Sequence, residues 1–342
     1  MFFWSRVEGS ASSSSDVRVS ERLATFVRRI APARGTFVDV LLFCNALSLS
    51  TLGAVILAPS RLPPATQRTR SQAQRAADMV VDARGHAVRV RPFRRIVSTS
   101  TIADQLLLEL ADPERILATT AYSHRSPYIG HRMTPFQSVD GTNVEALVAL
   151  RPDLVLVNEF LDPRRVARLR TAGLEVFDLG AMRGLATLGP NIEQVGTLVG
   201  RAQAGRVYRH RFEQRLMQVA ADIRERESAL YIAYRGSRLS GGAAGTSYHD
   251  VLESAGLVDV VDDRDGWPSY TPDELLALDP DWLITSESTG GLVCRLPGIT
   301  QTRACRDGHV VAVPDDLLSD PAFGMLESAQ IVRDAVYGPT RR

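Results

Sequence analysis

The strongest constraint on the fold of this chain is a unit that its sequence writes twice. Thr142-Asn143-Val144-Glu145-Ala146-Leu147-Val148-Ala149-Leu150-Arg151-Pro152-Asp153 leads into the apolar run Leu154-Val155-Leu156-Val157. Later, Ser269-Tyr270-Thr271-Pro272-Asp273-Glu274-Leu275-Leu276-Ala277-Leu278-Asp279-Pro280-Asp281 leads into Trp282-Leu283-Ile284. Each copy has an acid seven residues before a proline, an Ala-Leu pair, a Pro-Asp and a short apolar run. Both read the same way physically. A capped helix starts near the acid and turns its apolar positions to a core. Proline ends the helix, and the apolar run makes a buried strand. A carboxylate in the first turn suits the positive end of the helix dipole, and it lies on the rim where a partner can reach it. Two αβ units of one design predict two similar lobes.

At 342 residues the chain is long enough for two domains, each with its own core. Its 44% apolar and 23% charged residues are those of a soluble globular protein, and a formal charge of +1 gives no footprint for nucleic acid. The chain contains no lysine, so its 40 cationic side chains are all arginine. That excludes a phosphate-loop lysine, a Schiff base and a lysine general base.

Residues 1–78 read as a leader, with a serine-rich run at Ser10–Ser15 and a linker from residue 59. Phe37 to Ala58 is its membrane-grade stretch, interrupted by Asp39 and Asn45. A length of roughly 20 residues fits a spanning helix and exceeds a usual signal core. Three readings stay open: a cleaved export signal, a retained anchor, or a buried core helix. Phe43 before Cys44 does not fit a lipoprotein site. Residues 79–201 then alternate β and α, which predicts a parallel sheet covered on both faces. Residues 202–228 carry the longest helical signal, with Val207, Phe212, Leu216, Val219 and Ile223 on its buried side. At ~1.5 Å per residue it would span on the order of 35–40 Å, a strut between lobes. Residues 229–342 form the second α/β lobe.

In such sheets, ligands sit outside the carboxyl ends of the strands. The loops there carry Tyr122, His124, Tyr128, His131 and Phe136 in the first lobe, and Arg235, Arg238, Tyr248, His249, Trp267 and Tyr270 in the second. Tyr122, His124, Tyr128, Arg235, Tyr248 and Trp267 are the ligand-binding candidates. Aromatic faces suit a large flat ligand, and arginines pair with carboxylates or catecholate oxygens. Any single Tyr or Phe reads equally as core. Trp267, in a loop between Gly266 and Pro268, reads better as a contact. A haem would need one axial side chain, and Tyr122, His124 or His249 offers it.

Other chemistry has little support. Gly241 to Thr246 lacks the lysine of a phosphate loop, and no Gly-x-Ser-x-Gly elbow is present. The six histidines are scattered, without His-Glu-x-x-His or Cys-x-x-Cys, so no protein metal site and no catalytic residue is assigned. Cys294 and Cys305 are either a disulfide or two free thiols; spacing alone does not decide.

From about residue 79 to 338 the chain resembles the substrate-binding proteins of ABC importers for iron chelates and vitamin B12. The resemblance rests on Arg95-Ile96-Val97-Ser98, Thr119 to Ser123, Glu145 through Val157, Gly173 before its strand, the long linking helix, Gly266-Trp267-Pro268 and Asp273 through Ile284. It implies a class III periplasmic-binding-protein-like architecture, with two parallel-sheet α/β lobes joined by one long helix. It implies a non-enzymatic protein, expected to be a monomer. This protein would hold an iron chelate (a siderophore complex), haem or cobalamin between the lobes, with no intrinsic cofactor. Outside the cytoplasmic membrane, it would deliver that ligand to a permease powered by a separate ATPase. It further implies that one acid per lobe, Glu145 and Asp273 with Glu274 beside it, docks on permease arginines. The long leader departs from the family, as does Val139 near where cobalamin binders carry an extra tryptophan. The competing readings are a two-lobe α/β enzyme acting on a small metabolite in the same cleft, and a membrane-anchored ligand sensor. Ser98-Thr99-Ser100-Thr101 after the first strand, in place of a glycine fingerprint, argues against a dinucleotide enzyme.

Overall fold

The computed structural model describes residues 78–236, 238–296 and 298–339, all within one compact unit, Ser71–Arg342. The leader with its apolar stretch 37–58 lies outside the described residues, as does the Arg235 side chain. Among the described residues, no helix is long and apolar enough to cross a membrane.

A hairpin of β1 (Met79–Val81) and β2 (Ala87–Arg89) turns at Arg84-Gly85, as its alternation predicts. The first lobe follows as β3 (Ile96–Ser98), α1 (Thr101–Leu110), β4 (Ile116–Thr120), α2 (Ala121–Arg125), α3 (Gly130–Met133), β5 (Gln137–Val139), α4 (Val144–Ala149), β6 (Leu154–Val157), α5 (Pro163–Thr171) and β7 (Val176–Asp178). Its five strands are parallel in the order β5-β4-β3-β6-β7. Every residue of β6 is buried, which explains why that strand reads as an unbroken apolar run.

Two helices, α6 (Leu185–Leu198) and α7 (Ala202–Val219), lead to the second lobe. That lobe comprises β8 (Ser228–Tyr231), β9 (Ala233–Arg235), β10 (Arg238–Ser240), α8 (Ser247–Ser254), β11 (Val258–Asp259), β12 (Ser269–Tyr270), α9 (Pro272–Leu278), β13 (Trp282–Ser286), α10 (Glu287–Val293), α11 (Arg303–Asp307), β14 (Val310–Val313), α12 (Asp315–Leu318) and α13 (Gly324–Tyr337). Its main sheet is parallel in the order β11-β8-β13-β14, and an antiparallel sheet β12-β10-β9 stands beside it.

The predicted strut differs from the observed one. The helix expected over Ala202 to Ser228 ends at Val219, so its 18 residues span about 27 Å. Ile223 belongs to a turn that seats it, with Ala220, against Gly256 of the second lobe. The apolar period therefore outruns the helix. The crossing is also double, because α6 packs along α7. Gly196 and Gly205 let the two backbones touch: a Cβ on Gly196 would lie 3.1 Å from the Gly205 Cα. α6 contains Pro190, Gly189 and Gly196, residues that oppose a helix by propensity. Burial of Leu188, Ile192, Val195 and Leu198 outweighs that cost.

The repeated unit is built alike in both lobes. Asn143 caps α4 by accepting from the Ala146 N–H at 3.0 Å, and Thr271 caps α9 by accepting from Glu274 N–H. Arg151 (φ 48°) and Asp279 (φ 36°), each just before its proline, are left-handed. An arginine from elsewhere in the lobe donates to each of those carbonyls: Arg95 Nε to Arg151 O at 2.9 Å, and Arg303 Nη2 to Asp279 O at 2.7 Å. The aspartate after the proline then clasps the start of the neighbouring strand. Asp153 accepts from the Arg94 and Arg95 N–H groups, both at 2.8 Å, ahead of β3, and Asp281 accepts from Ser228 N–H at 3.1 Å, opening β8. Pro-Asp thus sets the register between each unit and the centre of its sheet.

Candidate ligand-binding cleft

The segments after β3, β4, β6 and β7 of the first lobe face those after β10, before β12 and after β14 of the second, and together they line two adjoining cavities. One, of about 380 Å³, is walled by Tyr122, Arg125 and Tyr128 from the first lobe and by Asp316 and Asp320 from the second. The other, of about 630 Å³, lies between Asn158, Glu159, Phe160 and Met182 on one side and Tyr248 and Trp267 on the other. Thr101 and Ser319 belong to both walls, so the cavities are two chambers of one cleft. Gln105 Nε2 donates to Asp320 Oδ2 across the lobes at 3.0 Å.

Four of the six predicted ligand residues meet there. Tyr122 is 72% exposed and carries the Arg125 guanidinium over its ring at 4.9 Å; Trp267 is 50% exposed, with Arg183 above it at 5.6 Å. Tyr248 stacks on Tyr231 at 3.8 Å, which holds its ring as a fixed wall. His124 is not among the lining residues: its Nε2 is engaged by the Thr119 hydroxyl at 3.0 Å, which fixes the ring beside β4. Arg235 lies on β9. Tyr270 is core, 6% exposed, and His249 points away from the chambers to the buried Asp259, its Nδ1 2.8 Å from Oδ2. That hydrogen bond raises the pKa of His249.

Sequence reasoning missed Phe160, Arg125, Arg183 and the second-lobe carboxylates. Phe160 is 81% exposed directly after β6. A bulky aromatic three residues past a buried strand is the signal that would have found it. The acids give the second-lobe wall its character. Burial pushes the pKa of Asp320 up, and the Tyr128 hydroxyl is raised by desolvation and then by the facing Glu327, Glu287 and Asp316. Among the described residues, no group of three or more His, Cys, Asp or Glu side chains could hold a metal ion.

The acids of the repeated unit lie away from this cleft. Glu145 is exposed and pairs with Arg168. Its carboxyl is held below the usual range by its own backbone N–H and by that arginine. Glu274 is tied into a capping box, taking the Thr271 N–H at 2.8 Å, and those bonds lower its pKa. Asp273 stands exposed beside it. Cys294 and Cys305 form a disulfide with Cα atoms 5.4 Å apart, joining the end of α10 to α11.

Two parallel-sheet lobes, a close-packed crossing and an open aromatic cleft between them make the layout of a solute-binding protein. Comparison places it further: residues 96–317 match the periplasmic binding protein family, and the chain belongs to that family. A cobalamin-binding protein of Halobacterium salinarum is 26% identical over 324 residues, covering 90% of this chain and 86% of the relative. A possible iron-binding, periplasmic solute-binding protein of Staphylococcus epidermidis superposes with a TM-score of 0.64 at 18% identity, covering 72% of this chain and all of that one. A periplasmic heme-binding protein of Pseudomonas aeruginosa does so with a TM-score of 0.61 at 21% identity, covering 73% and 94%.

Proposed function

We propose that this chain is the extracytoplasmic substrate-binding component of an ABC importer and that its ligand is a cobalamin. The observation that carries the ligand reading is the charge and shape of the cleft. Aromatic faces stand on both sides of two joined chambers, and Asp316, Asp320 and Glu159 outnumber the two guanidiniums there, Arg125 in the first chamber wall and Arg183 over Trp267. Haem propionates and anionic ferric catecholates call for more cationic pairing than that. A broad corrin fringed with amides suits aromatic faces and carboxylate acceptors. The Halobacterium salinarum relative, matched over most of both chains, supports the same ligand.

Segment 37–58 serves as the export signal or anchor, and the Cys294–Cys305 disulfide suits an oxidising compartment. Permease docking falls to Glu145 and Asp273, one exposed acid per lobe. Glu274, occupied by its cap, is the weaker candidate of its pair.

A fluorescence titration against cyanocobalamin, haemin and several ferric siderophores tests this ligand. Cyanocobalamin should quench emission with a Kd on the order of 1 μM or tighter, and Trp267→Ala should lose most of the quenching. Tight haemin or siderophore binding without cyanocobalamin binding overturns the assignment.

A further inference from the structure

Behind the Tyr122 wall lies a charged-type residue that the binding reading does not use. Asp104 is wholly buried, on the α1 turn that also carries the cleft residues Thr101 and Gln105. Its Oδ2 accepts the Thr120 N–H at 3.0 Å, and Thr120 is the cap residue of α2, its side chain accepting from Tyr122 N–H. One carboxyl therefore ties α1 to the short helix that presents Tyr122, Ser123 and Arg125 to the ligand. Its Oδ1 and the hydroxyl of the buried Ser123 have no hydrogen-bond partner among the described residues, and the Ser98 hydroxyl donates to Ser100 O at 2.9 Å.

We propose that Asp104 is the positioning residue of the Tyr122 wall, its buried carboxyl tying α1 to the Thr120 cap of α2. This rests on the cleft being the binding site. Burial pushes the Asp104 carboxyl up to about 8 against the hydrogen bond from Thr120, so the group keeps its proton at neutral pH. The charged and titratable groups on the elements packed against α1 are turned to other partners. His124 bonds Thr119, Arg125 lies over the exposed Tyr122 ring, and Glu193 of α6 pairs with Arg209 at 3.0 Å. On α1 itself, Glu109 pairs with Arg132 at 2.8 Å. None neutralises a charge on Asp104. Losing the proton places an unpaired charge beneath the wall. The turn that holds Tyr122 then loosens, and affinity falls as pH rises through about 8.

The test uses the full chain with cyanocobalamin as probe, alongside amide hydrogen exchange of residues 120–126 expressed as protection factors. In the wild type, affinity should fall about fivefold or more between pH 7 and 9, with protection of the turn falling in parallel. Asp104→Asn, neutral at every pH, should bind within about threefold of wild type at pH 6.5 and lose the alkaline fall. Asp104→Ala should lose about tenfold in affinity and the protection at 120–126 while α9 and α13 stay protected. An Asp104→Asn variant that keeps the alkaline fall overturns the proposal, as does an Asp104→Ala variant that binds and exchanges like wild type. If Asp104→Ala does not fold, the pH comparison of wild type with Asp104→Asn decides. If wild type does not bind cyanocobalamin, the ligand reading fails by itself. Exchange in the wild type and Asp104→Asn then decides the role of Asp104.

Discussion

The two copies of the repeated unit share a frame and differ in what they do with their acids. In both, a cap starts the helix, a left-handed residue precedes proline, an arginine holds its carbonyl and an aspartate clasps the next strand. The first copy leaves one acid, Glu145, and pairs it with Arg168. The second divides the work: Glu274 closes the capping box and Asp273 stands free. The buried parts of the unit are dictated by backbone chemistry, which is the same in both lobes. The exposed first turn is where the lobes have room to diverge, and there a partner can tell them apart.

The largest expected effect breaks the shared feature. Glu145→Arg with Asp273→Arg should reduce cellular uptake by about 100-fold or more while leaving ligand affinity within about twofold. Singly, Asp273→Arg should cost more uptake than Glu145→Arg, because Glu145 is already held by Arg168. Normal uptake by the double variant would reduce both acids to helix-end residues.

The next effect concerns a feature present beside the second copy and absent from the described first lobe. Cys294→Ser with Cys305→Ser opens a loop of sequence separation 11. Chemical denaturation should show a loss of about 3 kcal/mol, carried by the chain entropy of the opened loop. An unchanged midpoint would mean that α10 and α11 are held by packing alone.

A smaller effect separates the two left-handed residues. Arg151→Gly should raise stability by about 1 kcal/mol, since glycine adopts that conformation without the Cβ penalty. Asp279→Gly should instead lower it, because the Asp279 carboxylate accepts from Arg303 N–H at 2.7 Å and from its Nε at 3.0 Å. Equal shifts in thermal melts would show that the frame is not used differently.

What the sequence made legible followed local chemistry. Thr101–Leu110, Ile116–Thr120, Leu154–Val157 and Val310–Val313 stand where periodicity and strand composition place them. Proline marked the helix ends of the repeated units. Three things were not legible, each for a tertiary reason. α6 contradicts its own propensities at Gly189 and Pro190 and survives by burial. The true end of α7 is set by contact with Gly256, far along the chain. The clasps of Asp153 and Asp281 join residues that only the sheet brings together. In the cleft, loop aromatics found Tyr122, Tyr128, Tyr248 and Trp267. Nothing local told that His124 turns to Thr119, nor that Phe160, Asp316 and Asp320 line the opposite walls.

The central claim is that one large ligand bridges both chambers. Calorimetric titration of the protein with cyanocobalamin tests it most directly, using Tyr122→Ala for the first chamber and Trp267→Ala for the second. The account predicts one site per chain, with each substitution weakening that single isotherm by about tenfold or more. Two independent sites, or an isotherm that one of the two substitutions leaves unchanged, would contradict it.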